Sequence, residues 1–207
     1  MAEFFYTVTI ALVVAWLPHV ISQCVKYGGI AGGIYKLLAW VFSRKFIAKR
    51  LITDAKSRHP DFVILDENGE PYLSRWWLFN PYETTDKRSQ RYEWIPVNIR
   101  LHCFSKPDKD EHMHDHPWDA VSLIISGRYC EERVDNDLFV YEAGDFNRIN
   151  AEDFHSIRSV TPDHTIDKDG VWSIFITFKK KKSWGFLVPP VVVPWREYLG
   201  VKEHDRS

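Results

Sequence analysis

His112-Met113-His114-Asp115-His116-Pro117-Trp118-Asp119 runs almost directly into the apolar stretch Val121–Ile125 and then into Gly127. Three imidazoles at alternate positions next to a strand-like run fall on one face of an extended segment, because successive strand residues point to opposite sides. Neutral imidazole is the commonest protein ligand for iron, zinc, copper and nickel, so the segment reads as a metal site at the entry of a strand. A further histidine, His155, stands far downstream.

Working outward, the chain from about Ile52 onward reads as β-rich. Short apolar or alternating runs recur at Phe62–Leu65, Trp94–Cys103, Val121–Ile125, Leu138–Tyr141, His155–Val160, Trp172–Phe178 and Phe186–Val193. Turn signals such as Asn80-Pro81, Ser126-Gly127, Asp135-Asn136 and Ala143-Gly144-Asp145 separate them. Many short strands at this spacing, with no helical run between them, predict a sandwich or barrel. With 207 residues, 45% of them hydrophobic and 15% aromatic, the chain can build one good core with an appendage but hardly two full domains.

The net charge of -1 argues against a general nucleic-acid partner, which would show a basic excess. Three cysteines, Cys24, Cys103 and Cys130, are scattered without a CxxC spacing, so neither a disulfide framework nor a thiolate zinc site is indicated. A reducing compartment follows as the simplest reading.

The N-terminal residues 1–50 have a different character. Phe4 to Val25 is a run of 22 residues without Asp, Glu, Lys or Arg, above the roughly 20 needed to cross a bilayer core. A second apolar stretch, Tyr27–Phe42, is interrupted by Gly28-Gly29 and Gly32-Gly33 and is followed by Arg44, Lys45, Lys49 and Arg50. Positive charge behind an apolar segment marks the cytoplasmic side and attracts anionic headgroups. The expectation is therefore membrane association through residues 1–50, with a β-domain at 51–207 facing the cytoplasm. The alternative is a soluble cytoplasmic protein whose apolar helices pack on the β-domain or on a second subunit, in a homodimer.

The histidine segment also resembles the cupin superfamily, whose first motif is G-x5-H-x-H-x(3,4)-E-x6-G and whose second is G-x5-P-x-G-x2-H-x3-N. His114 and His116 match the H-x-H pair, and Gly127 follows His116 by eleven residues; Gly144 precedes His155 by eleven. Asn150, Glu152 and Ser159 stand where that second motif has proline, glycine and asparagine, and Ala120 or Val121 occupies the place of the first motif's glutamate. The chain is similar, too, to a group of small phage and bacterial cupin-like proteins with His-Asp-His-Pro-Trp, Trp-Gly-Phe and Pro-Trp-Arg-Glu-Tyr segments, here at 114–118, 184–186 and 194–198.

What the cupin resemblance implies is an all-β, double-stranded β-helix or jelly-roll barrel, with an N-terminal helical appendage in this chain. It also implies a divalent metal held by His114, His116 and His155, with iron the first expectation and zinc, manganese or nickel the alternatives. Asp119 is a further candidate ligand, although it is three residues from His116 and so out of phase with the inward face unless Pro117 introduces a bulge. His112 is in phase with His114 and could replace it as a ligand or serve as a proton shuttle. Arg100 shares a face with Asn98 and His102, where a buried guanidinium could clamp a carboxylate or phosphate. Tyr129, Glu131 and Arg148 are further cavity candidates.

The function expected first is an iron-dependent oxygenase on a small organic substrate, since three histidines leave positions open for substrate and oxygen. A metal-free cupin isomerase or epimerase, using His114 or His155 as base, is the second enzyme reading. A non-enzymatic binding module at a membrane, such as a phage-encoded host-interference factor, is the third.

Overall fold

The computed structural model describes residues 29–66, 68–82 and 90–200. Two helices come first, α1 (Ile30–Phe42) and α2 (Lys45–Lys56). Eleven strands follow: β1 (Phe62–Leu65), β2 (Pro71–Phe79), β3 (Asn98–Phe104), β4 (Trp118–Ser126), β5 (Arg128–Arg133), β6 (Leu138–Glu142), β7 (Phe146–Ile149), β8 (His155–Thr161), β9 (Val171–Lys180), β10 (Gly185–Val188) and β11 (Val191–Pro194). A last turn of helix, α3 (Trp195–Tyr198), follows β11.

The strands pair antiparallel into a six-stranded sheet in the order β1-β2-β3-β9-β4-β7, a three-stranded sheet β6-β5-β8, and the β10-β11 hairpin. His114 joins the two smaller sheets. Its backbone exchanges two hydrogen bonds with His155, each 3.0 Å, and pairs on its other side with Phe186 of β10. The residue thus acts as a one-residue strand between β8 and the hairpin.

Strand β9 shows why this sequence needs two covered faces. Its odd-numbered residues Val171 and Phe175 pack between the sheets, whereas Trp172 and Ile174 belong to a cluster with Leu101, Val121, Leu123 and Ile125 on the opposite face. A strand that is apolar on both faces must be buried on both. The two helices cover the outer face: Ala39 of α1 and Ile52 and Ala55 of α2 lie in that cluster, and Trp76 stacks on Trp172 at 5.2 Å. Buried Gly32 and Gly33 keep α1 slim on its packed side. Lys36 then pairs with Asp145 at 2.5 Å, and Lys56 with Asp167 and Asp169.

Of the membrane expectation, the described residues bear only on the second apolar stretch. The apolar face of α1 is spent on the sheet, and no described helix is long and apolar enough to cross a membrane. The run Phe4 to Val25 lies outside the described residues. The boundary expected near residue 51 falls inside α2, which packs on the sheet as one continuous helix.

The two motif glycines have a backbone reason. Gly127 closes the β4–β5 turn at φ +76°, and a Cβ there would stand 2.7 Å from the carbonyl oxygen of Thr161. Gly144 also has a positive φ, +96°. Both occupy the left-handed region that side chains make costly.

Candidate metal centre

Between the two larger sheets lies a cavity of about 300 Å³, lined by apolar residues and by a few convergent polar ones, at the small end of the range usual for ligand pockets. His114, His116 and His155 sit together in its wall. One nitrogen of each lies within 4.8 Å of the others, the only such group of metal-binding side chains among the described residues. Even-numbered phase runs unbroken from His114 through His116 and Trp118 into Ser122, all lining the cavity, so the alternation read from the sequence delivers these side chains to one place.

The residues fit a metal ion. His116 Nε2 and His155 Nε2 are 2.9 Å apart. Two nitrogens each about 2.0–2.1 Å from one ion and at right angles around it would be separated by about 2.9 Å. Ring contacts hold the imidazoles in place: His116 stacks on Trp118 at 4.8 Å, and His114 meets Trp184 and Phe186 edge-on or tilted at 6.2 and 6.0 Å.

Electrostatics divides the three. Burial pushes the His114 pKa down to about 4, with His155 adding to the effect, and burial also holds His116 well below its ordinary value. Both are therefore neutral at pH 7, as ligands must be. At His155 burial acts in the same direction but is outweighed by Glu131, whose Oε2 lies 3.0 Å from His155 Nδ1, and its pKa rises. The contact is a charge contact rather than an aligned hydrogen bond.

Glu131 is itself held below the usual carboxylate range despite its burial, because His155 and Arg133 surround it. Its oxygens take Arg133 Nε at 2.7 Å and Asn147 Nδ2 at 2.6 Å. Carboxylates behind ligand histidines fix the ring and raise its basicity. The cavity reading of Glu131 from the sequence thus acquires a specific role.

Asp119 faces away from the three histidines. Its carboxylate pairs with Lys181 at 2.6 Å and accepts the Ala151 N–H, so it is no part of the cluster. Alternation outlasts Pro117 and leaves Asp119 on the other face. His112 is likewise elsewhere: its Nδ1 lies 3.0 Å from the Tyr198 hydroxyl, and Tyr198 stacks on Phe186, so His112 docks α3. Arg100 is 2% exposed, bonded to Asn98 Oδ1 and packed over Trp77 and Trp118, outside the residues that line the cavity. Burial lowers its pKa to about 9. Tyr129 lines the cavity, and Arg148 is exposed.

Two residues were not singled out from the sequence. Asp115, between the two ligand histidines, is 2% exposed; it accepts the Gly185 N–H and pairs with Lys182 at 2.5 Å. It thereby ties the histidine segment to the Trp184-Gly185-Phe186 segment. The other is Arg75 on β2, which lines the cavity.

A pH dependence follows for the metal-free protein. His102, His114 and His116 have lowered pKa values in the folded state, so below about pH 6.5 the unfolded chain takes up protons that the folded chain refuses. Their contribution is complete above that pH and is lost as pH falls towards about 4, the value at His114. His155 has the opposite sign, its contribution being present below about 6.5 and lost as pH rises through its raised value. With three groups against one, the urea midpoint should fall between pH 7 and pH 5. An unchanged or higher midpoint at pH 5 would contradict the buried neutral state.

Neither a family model nor a curated protein matches the chain. Among solved structures it is similar to a cupin-like protein from Thermotoga maritima (14% identity, 64% of this chain and 86% of that one, TM-score 0.37). It is also similar to a cupin superfamily protein from Desulfitobacterium hafniense (16%, 52% and 78%, TM-score 0.35). A structure of DMSP lyases matches at 13% identity and TM-score 0.35 over 51% of this chain, which spans 47% of the lyase. Likenesses of this size say nothing of reaction or substrate. By its own sheets and side chains, the chain is an antiparallel β protein of two larger sheets that brings together three histidines able to hold a metal ion.

Proposed function

We propose that the protein is a metal-dependent enzyme, an iron-dependent oxygenase acting on a small organic substrate. The observation that carries this reading is the convergence of His114, His116 and His155 on the wall of an otherwise largely apolar cavity. Iron bound by three histidines would supply open positions at which a substrate and oxygen meet. The chain's own contributions are the neutral state of His114 and His116, the Glu131 carboxylate behind His155, and the aromatic rings packed against the histidines.

Metal analysis combined with oxygen uptake tests it. Bound iron near one per chain, with oxygen consumption that needs both iron and an added organic compound, supports the reading. A preparation that holds no ion and is unaffected by added iron, zinc, manganese or nickel overturns it.

One observation favours a second reading, a metal-free isomerase or epimerase. His155 is backed by the buried carboxylate of Glu131, an arrangement that makes an imidazole a better base. Chelator-insensitive exchange of a substrate C–H proton with solvent deuterium, lost in His155→Ala, would select it.

A further inference from the structure

The inner face of the six-stranded sheet carries a cation without a counter-charge. Arg75 stands directly across from His102 in the β2–β3 ladder, and both line the cavity of the three histidines. The Arg75 Nε is buried and has no hydrogen-bond partner; its guanidinium lies over the Phe62 ring at 5.4 Å. His102 is 2% exposed and stacks on Phe175 at 4.6 Å, yet neither of its ring nitrogens is bonded. Buried polar groups are ordinarily satisfied, so two orphans side by side in one cavity wall mark the place of an absent acceptor.

The acceptor's chemistry can be read from the surroundings. A planar guanidinium matches a carboxylate or a phosphate. Asp108 and Asp110 also line this cavity, and they would oppose a doubly charged group more than a single one. Ile64, Leu73, Phe104 and Ile157 make the remaining wall apolar, and about 300 Å³ admits only a small molecule.

We propose that the cavity binds a small monocarboxylic acid, its carboxylate held by Arg75 with His102 donating a hydrogen bond, and its apolar body turned towards His114, His116 and His155. This rests on the reading of the cavity as the active site and names the class of substrate. Arg75 thus takes the carboxylate-clamp role that the sequence suggested for Arg100.

The test compares three acids, butanoate, 3-methylbutanoate and benzoate, each with its own amide. Binding to the full chain is measured by calorimetry, metal-free and after cobalt loading. The expected result is that at least one acid binds about tenfold or more tightly than its amide. Arg75→Met should abolish that discrimination and Arg75→Lys should retain part of it, with cobalt stoichiometry unchanged in both. Equal binding of every acid and amide, failure of all three acids to bind, or discrimination that survives in Arg75→Met would overturn the proposal. Should Arg75→Met not fold, the wild-type pairs and Arg75→Lys decide. The metal reading fails separately: acid-over-amide selectivity in a protein that takes up no cobalt sinks the metal and keeps the clamp, whereas cobalt uptake without selectivity does the reverse.

Discussion

His155→Ala is expected to lose the metal altogether, from about one ion per chain to none detectable. Outer-shell changes at metal sites cost about 10–100-fold in affinity, and removal of one of only three protein ligands must exceed that. The fold should survive the change, because the link between His114 and His155 is made by backbone groups, two hydrogen bonds of 3.0 Å that alanine retains. Loss of metal is thereby separable from loss of structure. The measurement is elemental analysis of the purified variant alongside its far-ultraviolet circular dichroism. His112→Ala serves as the contrast: it removes a contact to Tyr198 and should leave the metal in place. If His155→Ala kept its ion, or if His112→Ala lost it, the ligand set would be wrong.

Glu131→Ala should produce the largest loss of stability at the site, about 3 kcal/mol, in the range found when one member of a buried charge pair is removed. Glu131 is 1% exposed, and its removal leaves Arg133 Nε without its Glu131 acceptor, Asn147 Nδ2 with only the Tyr129 hydroxyl, and His155 without its charge partner. Glu131→Gln keeps the shape and loses the charge, so it should be milder in urea. It should still weaken metal binding by about 10–100-fold, as changes behind ligand histidines do. Urea unfolding of the metal-free variants, followed by metal titration, reads both effects. A Glu131→Ala midpoint within the error of wild type would show that the three contacts contribute nothing.

Much of the barrel was legible in the chain, and for a local reason. Apolar runs set between turn residues are written in adjacent residues, so β1, β3, β4, β6, β8 and β9 could be placed near their true positions from the residues alone, whereas β5 and β7 were missed. The run Phe186–Val193 is a hairpin in fact, β10 and β11, because Pro189 and Pro190 sit in its middle and cannot donate ladder hydrogen bonds. Strand β2 was not legible. Ser74 and Arg75 interrupt its apolar residues, and Trp76-Trp77 read as core or interface aromatics rather than as part of a strand. Arg75, read along that segment, looks like any surface arginine.

The sequence by itself determined that His114 and His116 share a face and that two glycine–histidine spacings bracket the site, but it left Asp119 open as a ligand, and only its contacts with Lys181 and the Ala151 N–H place it elsewhere. Tertiary structure alone decided which carboxylate serves the histidines and which cation faces them. Glu131 reaches His155 across the β5–β8 pair, Arg75 meets His102 across β2–β3, and the apolar helix α1 covers a sheet face. Those outcomes depend on the register between segments tens of residues apart. Side-chain phase is a property of neighbours in the chain, whereas a shared cavity is set by strand pairing, which adjacent residues do not encode.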